Sequence, residues 1–211
     1  MKLVTVIAIF AATRSQALTI TGSPSFCKAS NAPLAGVLNV TTDTGSQVSV
    51  SINDGVTTWE HDFFDYGTNH CLTLLGFKAN RTNEIIVTVR DKYRSTFTFP
   101  EPLTFITSPL PTDMPTLVLV TNNLAEMEPG YTLFRVGNQT LGTAYVTIID
   151  NSGEIVWYSG ASAYAGWPGT IPTPSDIRQL TNGDLFYPTA DGTGFAEANM
   201  LGQTVRTWTA P

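Results

Sequence analysis

Between Tyr131 and Trp208 the chain repeats one local pattern: an apolar strand, a tight turn, another strand. The turns are built on Ser152-Gly153, Asn182-Gly183 and Leu201-Gly202. Tight hairpins need a residue at positive φ, and glycine takes that conformation without steric cost. The flanking runs, Ala144 to Tyr158, Asp176 to Tyr187 and Phe195 to Trp208, carry the β-branched and aromatic residues of strands. They read as one blade of a β-propeller followed by the start of the next. A lone blade cannot bury its own faces, so something else must lie against this one.

Upstream the alternation is cleaner. Ala35 to Thr41 places Leu38 and Val40 on one face and Asn39 and Thr41 on the other. Val48, Val50 and Ile52 alternate with serines, Asn53-Asp54-Gly55 turns the chain, and Val56 to Asp62 returns. Further strands are read at Leu18 to Thr21, Cys71 to Phe77, Ile85 to Val89 and Phe97 to Phe99. Short strands at this spacing predict an immunoglobulin- or fibronectin-like two-sheet sandwich over residues 18–106. Residues 107–116 carry Pro109, Pro111 and Pro115 and read as an extended, semi-rigid linker. Leu117-Val-Leu-Val120 is read as a fully apolar strand that opens the second, blade-like β domain, residues 117–211. No stretch sustains a 3.6-residue apolar period, so the expected class is all-β.

Residues 1–17 read as a signal peptide: a basic start at Lys2, an apolar run from Leu3 to Ala12, and small residues at Ser15 and Ala17. The run is too short to span a bilayer. A secreted, extracellular protein without a membrane span follows. Cys27 and Cys71, the only cysteines, are then expected to pair. The sequons at Asn39, Asn80 and Asn138 are expected to carry N-linked glycans. A net charge of −6 disfavours nucleic acid as a partner.

In Pro129 to Phe134, Ile148 to Tyr158 and Asp176 to Leu185 the chain resembles the arylsulfotransferase family. The resemblance implies an N-terminal β-sandwich followed by a six-bladed propeller, and sulfuryl transfer between phenols through a sulfated histidine. It covers the sandwich, the proline-rich linker and the first blade. The family's catalytic histidines, with their asparagine and arginine partners, lie in later blades. The histidines here, His61 and His70, fall in the sandwich part, so no catalytic residue carries over and no cofactor is implied.

Other motifs have simpler readings. His61, Asp62, Asp65 and His70 are metal-ligand types, but their spacing fits no helix or hairpin pattern. Trp59 to Cys71 reads as a polar loop with aromatic anchors. Asp150 to Glu154 lacks the acidic residues of a calcium loop and reads as a hairpin turn. No nucleophile elbow or phosphate loop is present. Trp157, Tyr158, Tyr164, Trp167 and Trp208 are candidate interface or ligand aromatics.

The functional expectation is a non-catalytic structural or assembly protein. Unpaired strand edges template pairing with another chain, and a contact that does not close builds a filament. The donor strand is expected at Leu18 to Ile20. The alternatives are the front of an arylsulfotransferase-like enzyme and an extracellular carbohydrate-binding module reading sugar through Trp167.

Overall fold

A computed structural model describes residues 17–123, 125–138, 143–160, 176–189 and 193–209. Tyr164, Trp167 and all of the signal peptide but Ala17 lie outside them. The class is all-β.

The first unit is a single antiparallel sheet of six strands: β1 (Ser25–Lys28), β2 (Gly36–Asn53), β3 (Thr58–Leu74), β4 (Thr82–Asp91), β5 (Thr96–Thr98) and β6 (Leu103–Ile106). β3 follows β2 along nearly its whole length, while β1 and β4 share the other edge of β2. The β2–β3 register shifts between Thr41 and Val48, and such bulges bend a strand and increase its twist. The sheet therefore curls over a core of Leu38, Val40, Val48, Val50 and Ile52 with Ile85, Val87 and Val89, all at most 2% exposed. Burying such side chains stabilises by about 1.5–3 kcal/mol each. Phe26 of β1 meets Phe105 of β6 at 4.8 Å between ring centroids, so the two ends of the sheet come together. The sandwich-like core is thus made by one sheet folded on itself. Residues 59–71, read from sequence as a loop, lie inside β3.

Two smaller sheets follow, where the sequence suggested one blade and the start of another. β7 (Thr132–Asn138), β8 (Thr143–Ile149) and β9 (Ile155–Gly160) form a three-stranded sheet. β10 (Arg178–Gln179), β11 (Leu185–Pro188), β12 (Gly194–Ala198) and β13 (Thr204–Thr209) form a four-stranded one. The three glycine turns have one design. In each, the first residue's N–H donates to the carbonyl four residues on, and the glycine N–H donates back to the first residue's carbonyl. Gly153, Gly183 and Gly202 hold φ of 81°, 89° and 74° there, the left-handed conformation the sequence demanded.

The three-stranded sheet is the middle layer of a stack. Its Val136, Tyr145, Ile149, Ile155 and Tyr158 pack on the curled sheet's core. Leu133, Val146, Ile148 and Trp157 pack on Leu185, Tyr187, Ala196 and Ala198 of the four-stranded sheet. Ile148 opposes Trp157 and Ile149 opposes Ile155, so Val156 is an extra residue in β9. That bulge turns Ile155 toward one core and Trp157 toward the other.

Several expectations change. Leu117 to Val120 forms no strand, and Val118 and Val120 are 77% and 90% exposed. A run of consecutive apolar residues is stable as a strand only with both faces covered, and here only one side is: Leu117 packs on the first core and Leu119 lies against Gly153, while Val118 and Val120 face outward. The linker is docked on the stack: Met114 is buried, and the Tyr145 hydroxyl donates to the Asp113 carboxylate at 2.8 Å. Burial and that bond raise the Tyr145 phenol's pKa.

The expected disulfide is absent: both cysteines are free and exposed. Cys27 of β1 lies opposite Val37, and Cys71 of β3 lies opposite Asn39, on the other side of β2. Two strand spacings are roughly 9–10 Å. A disulfide tolerates about 7 Å between Cα atoms at most. The expected donor strand is also taken. Leu18 is buried in the chain's own core, Ile20 bridges to Thr42, and the Thr21 N–H donates to the Thr41 carbonyl at 2.7 Å.

Candidate functional site

The four-stranded sheet has one covered face and one open face. Alternation sends Leu185, Tyr187, Ala196 and Ala198 inward to the second core. The same alternation sends Phe186, Phe195, Glu197, Arg206 and Trp208 to the other face, where Glu197 is itself buried at 7% exposure. Phe186 and Phe195 stack at 5.2 Å with their planes 10° apart, and Trp208 meets Phe186 edge-on at 5.7 Å. The Arg206 guanidinium lies 5.5 Å from the centre of the Trp208 ring. Phe195 is 47% exposed and Trp208 40%. Among the described residues β13 pairs only with β12, and all six of its residues are exposed. β3 likewise pairs only with β2 and exposes Phe64 and Tyr66.

Carboxylates border the open face. Asn182 Nδ2 donates to Asp184 at 2.9 Å and to Glu197 at 3.2 Å. Burial, then the shared hydrogen bond and charge of Glu197, raise the Asp184 pKa. Arg178 grips Asp176 with Nε and Nη2 at 2.7–3.1 Å.

A charged knot joins the curled sheet to the β8–β9 turn. Lys78 Nζ lies 3.0 Å from Asp150 Oδ2 and also bonds Glu154, and Arg81 reaches Glu154 at 3.4 Å. Burial works against the Lys78 charge, but Glu154 and Asp150 outweigh it and raise its pKa. Asp150 is buried against its charge too, and Ser152, Lys78 and the Glu154 N–H more than compensate, lowering its pKa. The Asp150 to Glu154 segment is thus a hairpin turn with an ammonium on its carboxylates.

Beside this knot a cleft of about 630 Å³ opens between the curled sheet and the two smaller sheets. Its lining includes Trp59, His61 and Phe63 of β3, with Tyr131 and Gln179. The sequence reading missed it. Trp59, His61 and Phe63 share a face because residues 59–63 are one strand, and the β2–β3 register turns that face toward the core.

Of the candidate aromatics, Trp157 and Tyr158 are core, 1% and 6% exposed, and the Trp157 indole N–H donates to the Met200 carbonyl at 2.7 Å. Trp208 alone among the described candidates lies on the surface. Asn39 and Asn80 are exposed, Asn39 on β2 and Asn80 at φ 57° in a turn. Asn138 ends β7 instead of lying in a loop. His61, Asp62, Asp65 and His70 do not converge, and no group of three or more His, Cys, Asp or Glu among the described residues is placed to hold a metal.

No protein-family model matches the chain, and no curated protein matches it.

Proposed function

We propose that this chain is a secreted, N-glycosylated, non-catalytic structural protein that associates with further copies of itself through the four-stranded sheet. The observation that carries the reading is the Phe186–Phe195–Trp208 cluster, with Phe195 and Trp208 exposed, beside the free edge of β13. An apolar sheet face with an unpaired edge is a template for another sheet. A second copy is the favoured occupant because the chain's own small sheets already stack through such faces, and because β3 offers a second, unlike edge. A β13-to-β3 contact is head-to-tail and need not close, which leads to a filament. The glycans sit at Asn39, Asn80 and Asn138.

Sedimentation of residues 18–211 across a hundredfold concentration range tests this. Concentration-dependent oligomers, reduced to monomer by Phe195→Lys with Trp208→Lys, are expected. A monomer throughout sinks the proposal.

A second reading, the front of an arylsulfotransferase-like enzyme, draws support from the stacked three- and four-stranded sheets and their shared glycine turn. In that reading the open face meets a further sheet of the same polypeptide. The protein isolated from its source would then be a longer monomer that transfers sulfuryl groups from p-nitrophenyl sulfate to phenol.

A further inference from the structure

The cleft lies on the face of β3, whereas the assembly just proposed uses the free edge of that strand, and the cleft's chemistry is distinct. Trp59, His61 and Phe63 lie opposite Ile52, Val50 and Val48 of β2, and cross-strand partners share a face. The three rings therefore continue the concave, core-lining face of the curled sheet into the cleft. Their backbone positions repeat every two residues, about 6.8 Å along the strand. The row is held in place: Trp59 packs edge-on to Phe77 at 6.1 Å, and His61 edge-on to Phe63 at 4.7 Å. Tyr131, 70% exposed, brings a fourth ring from the other side. The His61 side chain makes no hydrogen bond or ion pair among the described residues, and Gln179 uses its amide nitrogen on the Gly183 carbonyl, leaving its oxygen to accept.

The electrostatics select the ligand class. On the cleft wall Lys78 is held by Asp150 and by Glu154 behind it, and Glu60 adds a further carboxylate. The cleft wall thus has no positive charge to spare for a sulfate, phosphate or uronate. A row of rings with hydrogen-bonding groups at its margin, and no net positive field, matches a neutral sugar chain. A pyranose presents one apolar C–H face to a ring and a rim of hydroxyls to polar side chains. We infer that this cleft binds a neutral oligosaccharide, laid along Trp59, His61 and Phe63 and covered in part by Tyr131.

Titration calorimetry of residues 18–211 with neutral hexaoses tests this, using β-1,4-glucose, β-1,4-mannose, β-1,4-N-acetylglucosamine and α-1,4-glucose. A sulfated hexaose and a proline-rich peptide serve as further probes. At least one neutral hexaose is expected to bind, and Tyr131→Ala to weaken it about three- to tenfold, the value of one aromatic contact. Trp59→Ala is expected to weaken it further. Because Trp59 also packs on the core, the exposed Tyr131 and His61→Ala keep the test open if that variant does not fold. Trp208→Lys should leave binding unchanged, which separates this site from the assembly surface. The inference is overturned if no neutral hexaose binds, if only the sulfated sugar or the peptide binds, or if Tyr131→Ala and His61→Ala bind as the parent does.

Discussion

The three-stranded and four-stranded sheets share one turn chemistry but meet different surroundings. In β9 the residues from Ile155 to Ser159 are all buried, because the curled sheet covers one face and the four-stranded sheet the other. In β13 all six residues are exposed. Trp157 is 1% exposed with its indole N–H bonded, while Trp208 is 40% exposed beside two stacked phenylalanines. Hairpin grammar sets up a sheet, but position in the stack decides whether its aromatics are core or surface.

The largest expected effect separates these two tryptophans. Trp157→Ala should cost about 3–5 kcal/mol in urea unfolding, from lost burial and the cavity left behind. Trp208→Ala, measured on monomer, should cost less than about 1 kcal/mol. Equal losses would break the comparison.

The turn glycines sharpen it. At Gly202 an added Cβ would lie 2.7 Å from Asn31 Cβ, in the loop between β1 and β2, whose side chain also donates to the Gly202 carbonyl. At Gly183 nothing lies within 4 Å. Both hold positive φ, so both alanine variants carry backbone strain of about 1 kcal/mol. Gly202→Ala should cost about 1–3 kcal/mol more, by forcing that loop away. Matching thermal midpoints for the two variants would show that the loop does not bear on the turn.

The charged knot should matter next. Lys78→Met leaves Asp150 partly buried without its ammonium and should cost about 1–3 kcal/mol at neutral pH. The Asp150 pKa is lowered, so its stabilisation is present above the ordinary carboxylate value of 3.8 and lost as pH falls below it. The Lys78 pKa is raised, so its share is present below 10.5 and lost as pH rises past that value. The difference between parent and variant should therefore be flat between these limits and shrink outside them. The smallest effect belongs to the open sheet. The Asp184 pKa is raised beside Glu197, so its ionised form is a liability at neutral pH. Asp184→Asn should be neutral or gain a few tenths of a kcal/mol in the same unfolding assay.

Much of the fold was legible because turns and alternation are local. The Gly153, Gly183 and Gly202 turns, and the outward Asn39 between buried Leu38 and Val40, follow from a few adjacent residues. Pairing between distant segments was not local, and there the reading failed. Cys27 and Cys71 sit on strands either side of β2, which no spacing reveals. Polar residues such as Glu60 and Asp62 made residues 59–71 look like a loop, although these two alternate with Trp59, His61 and Phe63, which face the core side. The unbroken apolar run in β9 did hold a signal, since such a run implies cover on both faces. Leu117 to Val120 shows the same signal with cover on one side only, so composition alone could not distinguish the two. The cleft depends on the β2–β3 register and on the stack of three sheets, and neither can be read from one strand.

Hydrogen exchange on β9 and β13 at low and high protein concentration separates a sheet covered within the chain from one covered by another copy. β9 amides are expected to be protected at both concentrations. The β13 amides that point away from β12 are expected to exchange freely when dilute and to become protected when concentrated, and Phe195→Lys with Trp208→Lys to abolish the gain. Equal exchange of those β13 amides at both concentrations, or protection that survives those substitutions, would contradict assembly through this sheet.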